Sequence, residues 1–319
     1  MIRHREKIIS LATILRVDHT YRISTNEGID SLLVSIPEVG LMHPPVLQER
    51  SGGYIIIAGF RRVAACRRLG WSEITARIVD RNTGELACAQ LAIADNTFQR
   101  SLNLIEVSRS INLLTGFFKD MKGLTKTASK LRLPDNPSLI SKIQRLRHLP
   151  SSVQQDILSG SITLSMALEL GRLEPTIGIA FSTLFRSLKL SLNKQREIMT
   201  LVKEIARRED IPVNHLLVSA EFRDILEDKA LGTAEKTGRI RAYLRQRRFP
   251  RIVEAKKIFE ENVRELKLGE GTQLIPPRDF EGRTYGLKMQ FKDIEELKTR
   301  RTGLDKIIQH PKLKTILKR

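Results

Sequence analysis

The residues best placed to do chemistry stand together at Gly59-Phe60-Arg61-Arg62, directly after the apolar run Tyr54–Ala58. A buried strand that ends at a glycine and passes at once into a helix leaves the first helical N–H groups unpaired. The positive end of the helix dipole is open there too, so the turn is a ready anion site. Two arginines in a first helical turn are disfavoured by that dipole unless an anion sits among them. The chemistry on offer is phosphate binding by backbone amides and guanidinium groups. Taken alone, the pattern also allows arginines that are simply solvated.

A second set lies further along. Gly123–Leu131 reads as a helix with Thr125 as its N-cap, Arg132–Asn136 as a turn, and Pro137–Leu149 as a second helix with Pro137 near its first position. Leu139, Ile140, Ile143, Leu146 and Leu149 form the buried stripe of that second helix, which leaves Ser138, Ser141, Lys142 and Arg145 facing outward. A short polar N-terminal face followed by basic residues suits reading of base edges in a major groove. Thr125 and Lys126 add polar and cationic groups on the first helix. Residues 122–149 hold seven Lys or Arg against one acid, Asp135, an asymmetry that favours phosphate contact. A helical hairpin with a solvated basic face fits the same pattern.

The elements that must position these groups alternate over the first hundred residues. Ile8–Leu15, Pro45–Glu49, Tyr54–Ala58 and Ile74–Val79 read as strands; Ile29–Val39, Phe60–Leu69 and Leu86–Asn96 read as helices, the first two stopped by Gly40 and Gly70. After Arg100 the signal is helical, beginning with Leu104–Lys119. Arg251–Leu268 is an amphipathic helix, Tyr285–Phe291 alternates like a half-buried strand, and a last helix starts near Ile294. The expected fold class is α+β and multidomain: a small α/β domain over 1–100, an all-α domain over 101–210, and a mixed α/β region over 211–319.

The chain has 319 residues and a formal net charge of +19, which points to a polyanionic partner, nucleic acid first and an anionic membrane surface second. Cys66 and Cys88 are the only cysteines. Two cysteines without CxxC spacing make neither a disulfide framework nor a zinc site. No signal peptide is read at the N-terminus, and no apolar run approaches the roughly 20 residues of a membrane span. The expectation is a soluble, cytoplasmic, nucleoid-associated protein.

Three boxes in order resemble the ParB N-terminal domain: Ser35-Ile36 with Gly40-Leu41 and Pro44-Pro45-Val46; Gly59-Phe60-Arg61-Arg62 with Ala64-Ala65 and Leu69-Gly70; and Asp95-Asn96 through Arg100 to Leu102-Asn103. Gly123-Leu124-Thr125, Leu149-Pro150 and Ile162-Thr163-Leu164 resemble the helix-turn-helix domain that follows it in that family. The resemblance spans residues 8–170. It implies a ParB/sulfiredoxin-like first domain that binds CTP with Mg²⁺. Gly59, Arg61 and Arg62 would hold the triphosphate, Asn96 and Arg100 would lie beside it, and Asp95 would meet the metal. It implies double-stranded DNA as partner through the helix-turn-helix, a ParA-type ATPase as a further partner, and a homodimer.

Departures from the family carry weight. The family's Glu in the second box is Phe60 here, and its Gln before the proline is His43. Phe can neither ligate a metal nor move a proton, so at most weak CTP hydrolysis is expected, with His43 left to orient a water or simply to sit at a turn. Sulfiredoxin-like enzymes carry a cysteine where Phe60 stands, so thiol repair is not expected. Two other functions stay open: a site-specific transcriptional regulator with a degenerate nucleotide site, and a nuclease or other enzyme on the same fold. Arg239–Arg251 holds six arginines and no acid. It reads either as a phosphate-gripping run or as a solvated helix face.

Overall fold

The computed structural model describes residues 4–317. They form two compact units, 1–192 and 193–319. In the first, the chain runs β1 (His4–Ser10), α1 (Asp30–Val39), β2 (Val46–Arg50), β3 (Gly53–Ala58), α2 (Phe60–Arg68), β4 (Glu73–Val79) and α3 (Glu85–Thr97), then six helices. These are α4 (Leu104–Thr115), α5 (Met121–Lys130), α6 (Pro137–Gln144), α7 (Ser151–Leu158), α8 (Leu164–Leu170) and α9 (Pro175–Ser187). The sheet order is β1-β4-β2-β3. β1 and β4 are antiparallel, β4 and β2 parallel, and β2 and β3 antiparallel.

The two-residue period of β3 divides its side chains between two cores. Ile56 faces one layer with Ile36 of α1 and Val63, Ala65 and Cys66 of α2. Ile55 and Ile57 face the other, with Ala89, Ala92 and Ile93 of α3, Ile111 and Leu114 of α4, Leu124 and Ala128 of α5, and Ile140 and Ile143 of α6. One apolar core thus passes residue 100 without a break, and the helices after it pack on the sheet.

The second unit holds α10 (Leu192–Glu209), α11 (Val213–Leu217), α12 (Ala220–Glu227), α13 (Thr233–Arg248), α14 (Pro250–Leu266), β5 (Thr272–Ile275), β6 (Gly286–Met289), α15 (Ile294–Gln309) and α16 (Pro311–Leu317). β5 and β6 form an antiparallel pair. Leu266, Leu274 and Ile316 are buried together, with Phe259 and Tyr285 packed on them. Both units mix helix and strand, so the class is α+β. No helix among the described residues is long and apolar enough to cross a membrane.

Several expectations need correction. The strand expected over Ile8–Leu15 lies at His4–Ser10, because the Ser10 hydroxyl accepts from the Ala12 N–H and turns the chain into a 3-10 helix at Leu11–Thr13. The helix expected to begin beside Thr125 begins at Met121, because Asp120 Oδ1 accepts from the Gly123 N–H at 2.7 Å. Thr125 lies inside it, its hydroxyl donating to the Lys122 carbonyl at 3.0 Å. α6 stops at Gln144, and residues 145–148 tighten into a 3-10 turn. Leu139, expected in the buried stripe, is 36% exposed. The short helix meets its core along Ile140 and Ile143, and Leu139 lies roughly 70° round the helix from the middle of that line, at its edge. The helix expected over Leu104–Lys119 ends at Thr115, with Gly116 as C-cap. The strand expected over Tyr285–Phe291 is confined to Gly286–Met289, and Leu287 within it and Phe291 beyond it are exposed.

Candidate functional site

A cleft of about 210 Å³ opens at the start of α2. β3 ends at Ala58, and Gly59 then takes φ 94° as the N-cap of α2. No side chain caps this helix and no acid stands in its first turn. Its unpaired N–H groups therefore belong to the residues that line the cleft. Gly59, Arg61, Arg62, Asn96 and Arg100 all line it, and Asp95 is the one acid among the lining residues.

The guanidinium groups are held, not loose. Arg62 Nη1 donates to the carbonyls of His43 at 2.5 Å and Pro44 at 3.2 Å. Its Nη2 lies 3.6 Å from Asp95 Oδ2. Burial pulls the Arg62 pKa below its ordinary value, and Asp95 opposes that shift. A desolvated cation with one distant counter-charge is a group that a bound anion would stabilise. Arg61 Nε donates to the Gly28 carbonyl at 2.7 Å, tying α2 to the segment before α1. Asn96 Nδ2 donates to the Ala92 carbonyl one helical turn back. Asp95 also accepts from Gln99 Nε2 at 3.2 Å.

Arg100 is gripped by Glu106. Its Nη1 donates to Oε2 at 2.6 Å and its Nη2 to Oε1 at 2.8 Å. Glu106 is 1% exposed and closes a capping box with Asn103 at the start of α4. Burial works against its ionisation. The Arg100 bonds, the N–H groups of Thr25 and Asn103 and the Arg100 charge outweigh it, and the carboxyl is held down to about 2.

A further part of the lining was not anticipated. Tyr21, Arg22, Ile23, Ser24 and Asn26 form it, from a stretch with neither helical nor strand period. Glu106 was not anticipated either, though Asn103-x-x-Glu106 is a legible capping pattern. His43 is exposed, does not line the cleft, and contributes its carbonyl to Arg62. Phe60 lines the cleft, with its ring 6.1 Å from that of His19. Mg²⁺ needs only one or two carboxylates besides phosphate and water oxygens. Asp95 fits that modest demand; among the described residues no group of three His, Cys, Asp or Glu gathers to hold a metal alone.

A separate basic face lies on α5 and α6. Asn136 Oδ1 accepts from the Leu139 N–H at 3.0 Å and starts α6, and Arg132 takes φ 56° in the turn before it. Lys126, Ser138, Ser141, Lys142 and Arg145 are exposed, and Thr125 is half-buried. α6 is braced on α4: Asn112 Nδ2 donates to the Gln144 carbonyl at 3.1 Å, and Gln144 Nε2 donates to Thr115 Oγ1 at 2.6 Å. Lys126, Lys142 and Arg145 form no ion pair among the described residues.

The arginine run of the second unit behaves otherwise. Arg241 and Arg245 pair with Glu197, Arg247 with Glu209, Arg248 with Glu204 and Arg239 with Glu235. Among the described residues, every arginine of the run but Arg251 meets an acid, most of them on α10. The run is thus paired with acids, while Arg239 and Arg245 keep more than half of their side chains exposed.

Residues 7–97 match the family model of the ParB N-terminal domain. A protein named "Probable chromosome-partitioning protein ParB" from Chlamydia pneumoniae is 31% identical over 161 residues, covering 49% of this chain and 54% of that protein. A nucleoid occlusion protein of Halalkalibacterium halodurans is 33% identical over 141 residues, covering 44% of this chain and 48% of that protein. The chain thus matches about half the length of these curated relatives. The crystal structure of the C-terminally truncated chromosome-partitioning protein ParB from Caulobacter crescentus complexed with CTP-gamma-S is 24% identical. It covers 57% of this chain and 98% of its own, with a TM-score of 0.26.

Proposed function

We propose, from the match of residues 7–97 to the ParB N-terminal domain and the similarity to chromosome-partitioning proteins, that this chain is a DNA-binding partition protein of the ParB type that holds CTP in the cleft at the start of α2 and a specific DNA site on α5 and α6. The observation that carries the nucleotide half is the cleft itself. It combines an uncapped helix N-terminus with Arg61, Arg62 and Arg100, and Asn96 and Asp95 stand beside them. Amide hydrogens and fixed guanidinium groups converging on one space suit a triphosphate. The choice of CTP follows from the family resemblance. Mg²⁺ bound with the triphosphate would offset phosphate charge, and Asp95 is the residue that would hold it.

The DNA half rests on the unpaired cations and exposed serines of α5 and α6. We assign this pair to a helix-turn-helix, with α6 as the helix that reads base edges through Ser138, Ser141, Lys142 and Arg145. Thr125 and Lys126 would contact phosphate. A second copy and a ParA-type ATPase are the protein partners this function calls for, and the nucleoid is its place. Phe60 offers no proton-moving group at the cleft, so the nucleotide acts here as a bound ligand, with weak hydrolysis at most.

Calorimetry with CTP, ATP, GTP and UTP on the wild type and on Arg62→Ala tests the cleft. CTP alone should bind, and Arg62→Ala should lose it. No heat from any of the four with the wild type would remove the nucleotide function.

A further inference from the structure

The capping role of Glu106 does not require its charge. A capping box closes with Gln as well as Glu, because only the backbone N–H of the N-cap residue must be accepted. Here that need is met by one bond, from the Asn103 N–H to Oε2 at 3.2 Å. The rest of the carboxylate is occupied elsewhere. Thr25 gives its N–H to Oε1 at 2.9 Å and its hydroxyl to the same oxygen at 3.2 Å. Arg100 gives two bonds in the forked geometry that a carboxylate, and not an amide, accepts from a guanidinium. A carboxylate 1% exposed is costly unless paired in this way.

What Glu106 joins is also specific. Arg100 and Ser24 both line the cleft, from segments 76 residues apart in the chain, and Thr25 follows Ser24. Arg100 Nη2 also lies 3.4 Å from Ser24 Oγ. Asn103 Nδ2 donates to Thr25 Oγ1 at 2.8 Å, and Arg109, one turn along α4, donates to the Ser24 carbonyl at 3.0 Å. The start of α4 therefore fastens the two lining segments, around Ser24 and around Arg100, to each other. Glu106 itself does not line the cleft.

We infer that Glu106 is a positioning residue for the triphosphate: its buried carboxylate fixes Arg100 against Thr25 and so sets the cleft to ligand width before the ligand arrives. This rests on the nucleotide function proposed above. A guanidinium already fixed by two bonds loses little freedom when it meets a phosphate, which is where the gain in affinity arises.

The test is a double-variant cycle on the full chain, read by calorimetry with CTP, with a melting curve for each protein. Glu106→Gln keeps the cap and loses the fork, and should weaken CTP by about tenfold or more. Arg100→Ala should weaken it at least as much. The double variant should bind no more weakly than Arg100→Ala alone, because Glu106 acts through Arg100. A Glu106→Gln protein that binds CTP like the wild type overturns the inference, and so do losses that multiply in the double variant. Thr25→Val offers a second route that leaves the fork whole. It should weaken CTP by itself and add nothing to Glu106→Gln; wild-type affinity in Thr25→Val counts against the fastening of the two segments. Absence of CTP binding by the wild type removes the nucleotide function and this inference with it. Binding that is lost in Arg62→Ala but untouched in Glu106→Gln removes this inference alone.

Discussion

Pro45 lies so close to Gly59 that a Cβ on residue 59 would stand 2.9 Å from the Pro45 Cβ and 3.0 Å from its Cα. The backbone of residue 59 is also left-handed, at φ 94°. Strand β3 can therefore turn into α2 at the mouth of the cleft only with glycine there. The same contact brings the His43 and Pro44 carbonyls within reach of Arg62.

Gly59→Ala should cost about 1–3 kcal/mol of stability through the backbone conformation, and more through the clash with Pro45. Gly52, at φ 91° with nothing within 4 Å of an added Cβ, is the control for conformation alone. Denaturant unfolding of both variants checks this. The account of the turn fails if Gly59→Ala is no less stable than Gly52→Ala.

Stability should depend on acid through Glu106. A carboxyl whose folded pKa lies below its unfolded value stabilises the fold above the unfolded value, and that contribution is lost as pH falls toward the folded one. For Glu106 the loss should run from about pH 4.5 down to about 2. Unfolding free energies measured across this window should fall less steeply in Glu106→Gln than in the wild type.

Lys142→Ala and Arg145→Ala should each cost about 1–3 kcal/mol of binding to the cognate site and relax preference at particular base pairs. Lys126→Ala should instead weaken all DNA alike and lower the salt dependence by about one counterion. Titrations at several salt concentrations separate the two behaviours. Unchanged affinity in both α6 variants would remove α6 as the reading helix.

Phe60→Glu should raise CTP hydrolysis, because it places a carboxylate among the residues lining the cleft, near Asp95. Phosphate release by both proteins at saturating CTP and Mg²⁺ measures the effect. No gain would mean that hydrolysis lacks more than this one residue.

Much of the cleft was legible in the sequence because its signals are local. An apolar run before Gly59 reports a strand, a turn and a helix start within a few residues, and the arginines follow directly. The three boxes then placed Asn96 and Arg100 beside them. The α5–turn–α6 pair was legible from Asn136-Pro137 and the spacing of Ile140 and Ile143. Its first boundary was missed because Thr125 and Asp120 are both good caps, and only the fold shows which one meets an N–H group.

The partners of charges were decided elsewhere. Arg239–Arg251 is basic in sequence but largely neutralised in space, because Glu197, Glu204 and Glu209 on α10 face it. Thr25 meets Glu106 across 81 residues, and a stretch without periodicity becomes a wall of the cleft. Local backbone conformation depends largely on neighbours in the chain, so the sequence alone determined the β3 strand, the glycine turn and the helix start at the cleft. Burial and charge pairing depend on neighbours in space, so only the tertiary structure decided which arginines stay free for a ligand and which carboxylate holds the cleft in shape.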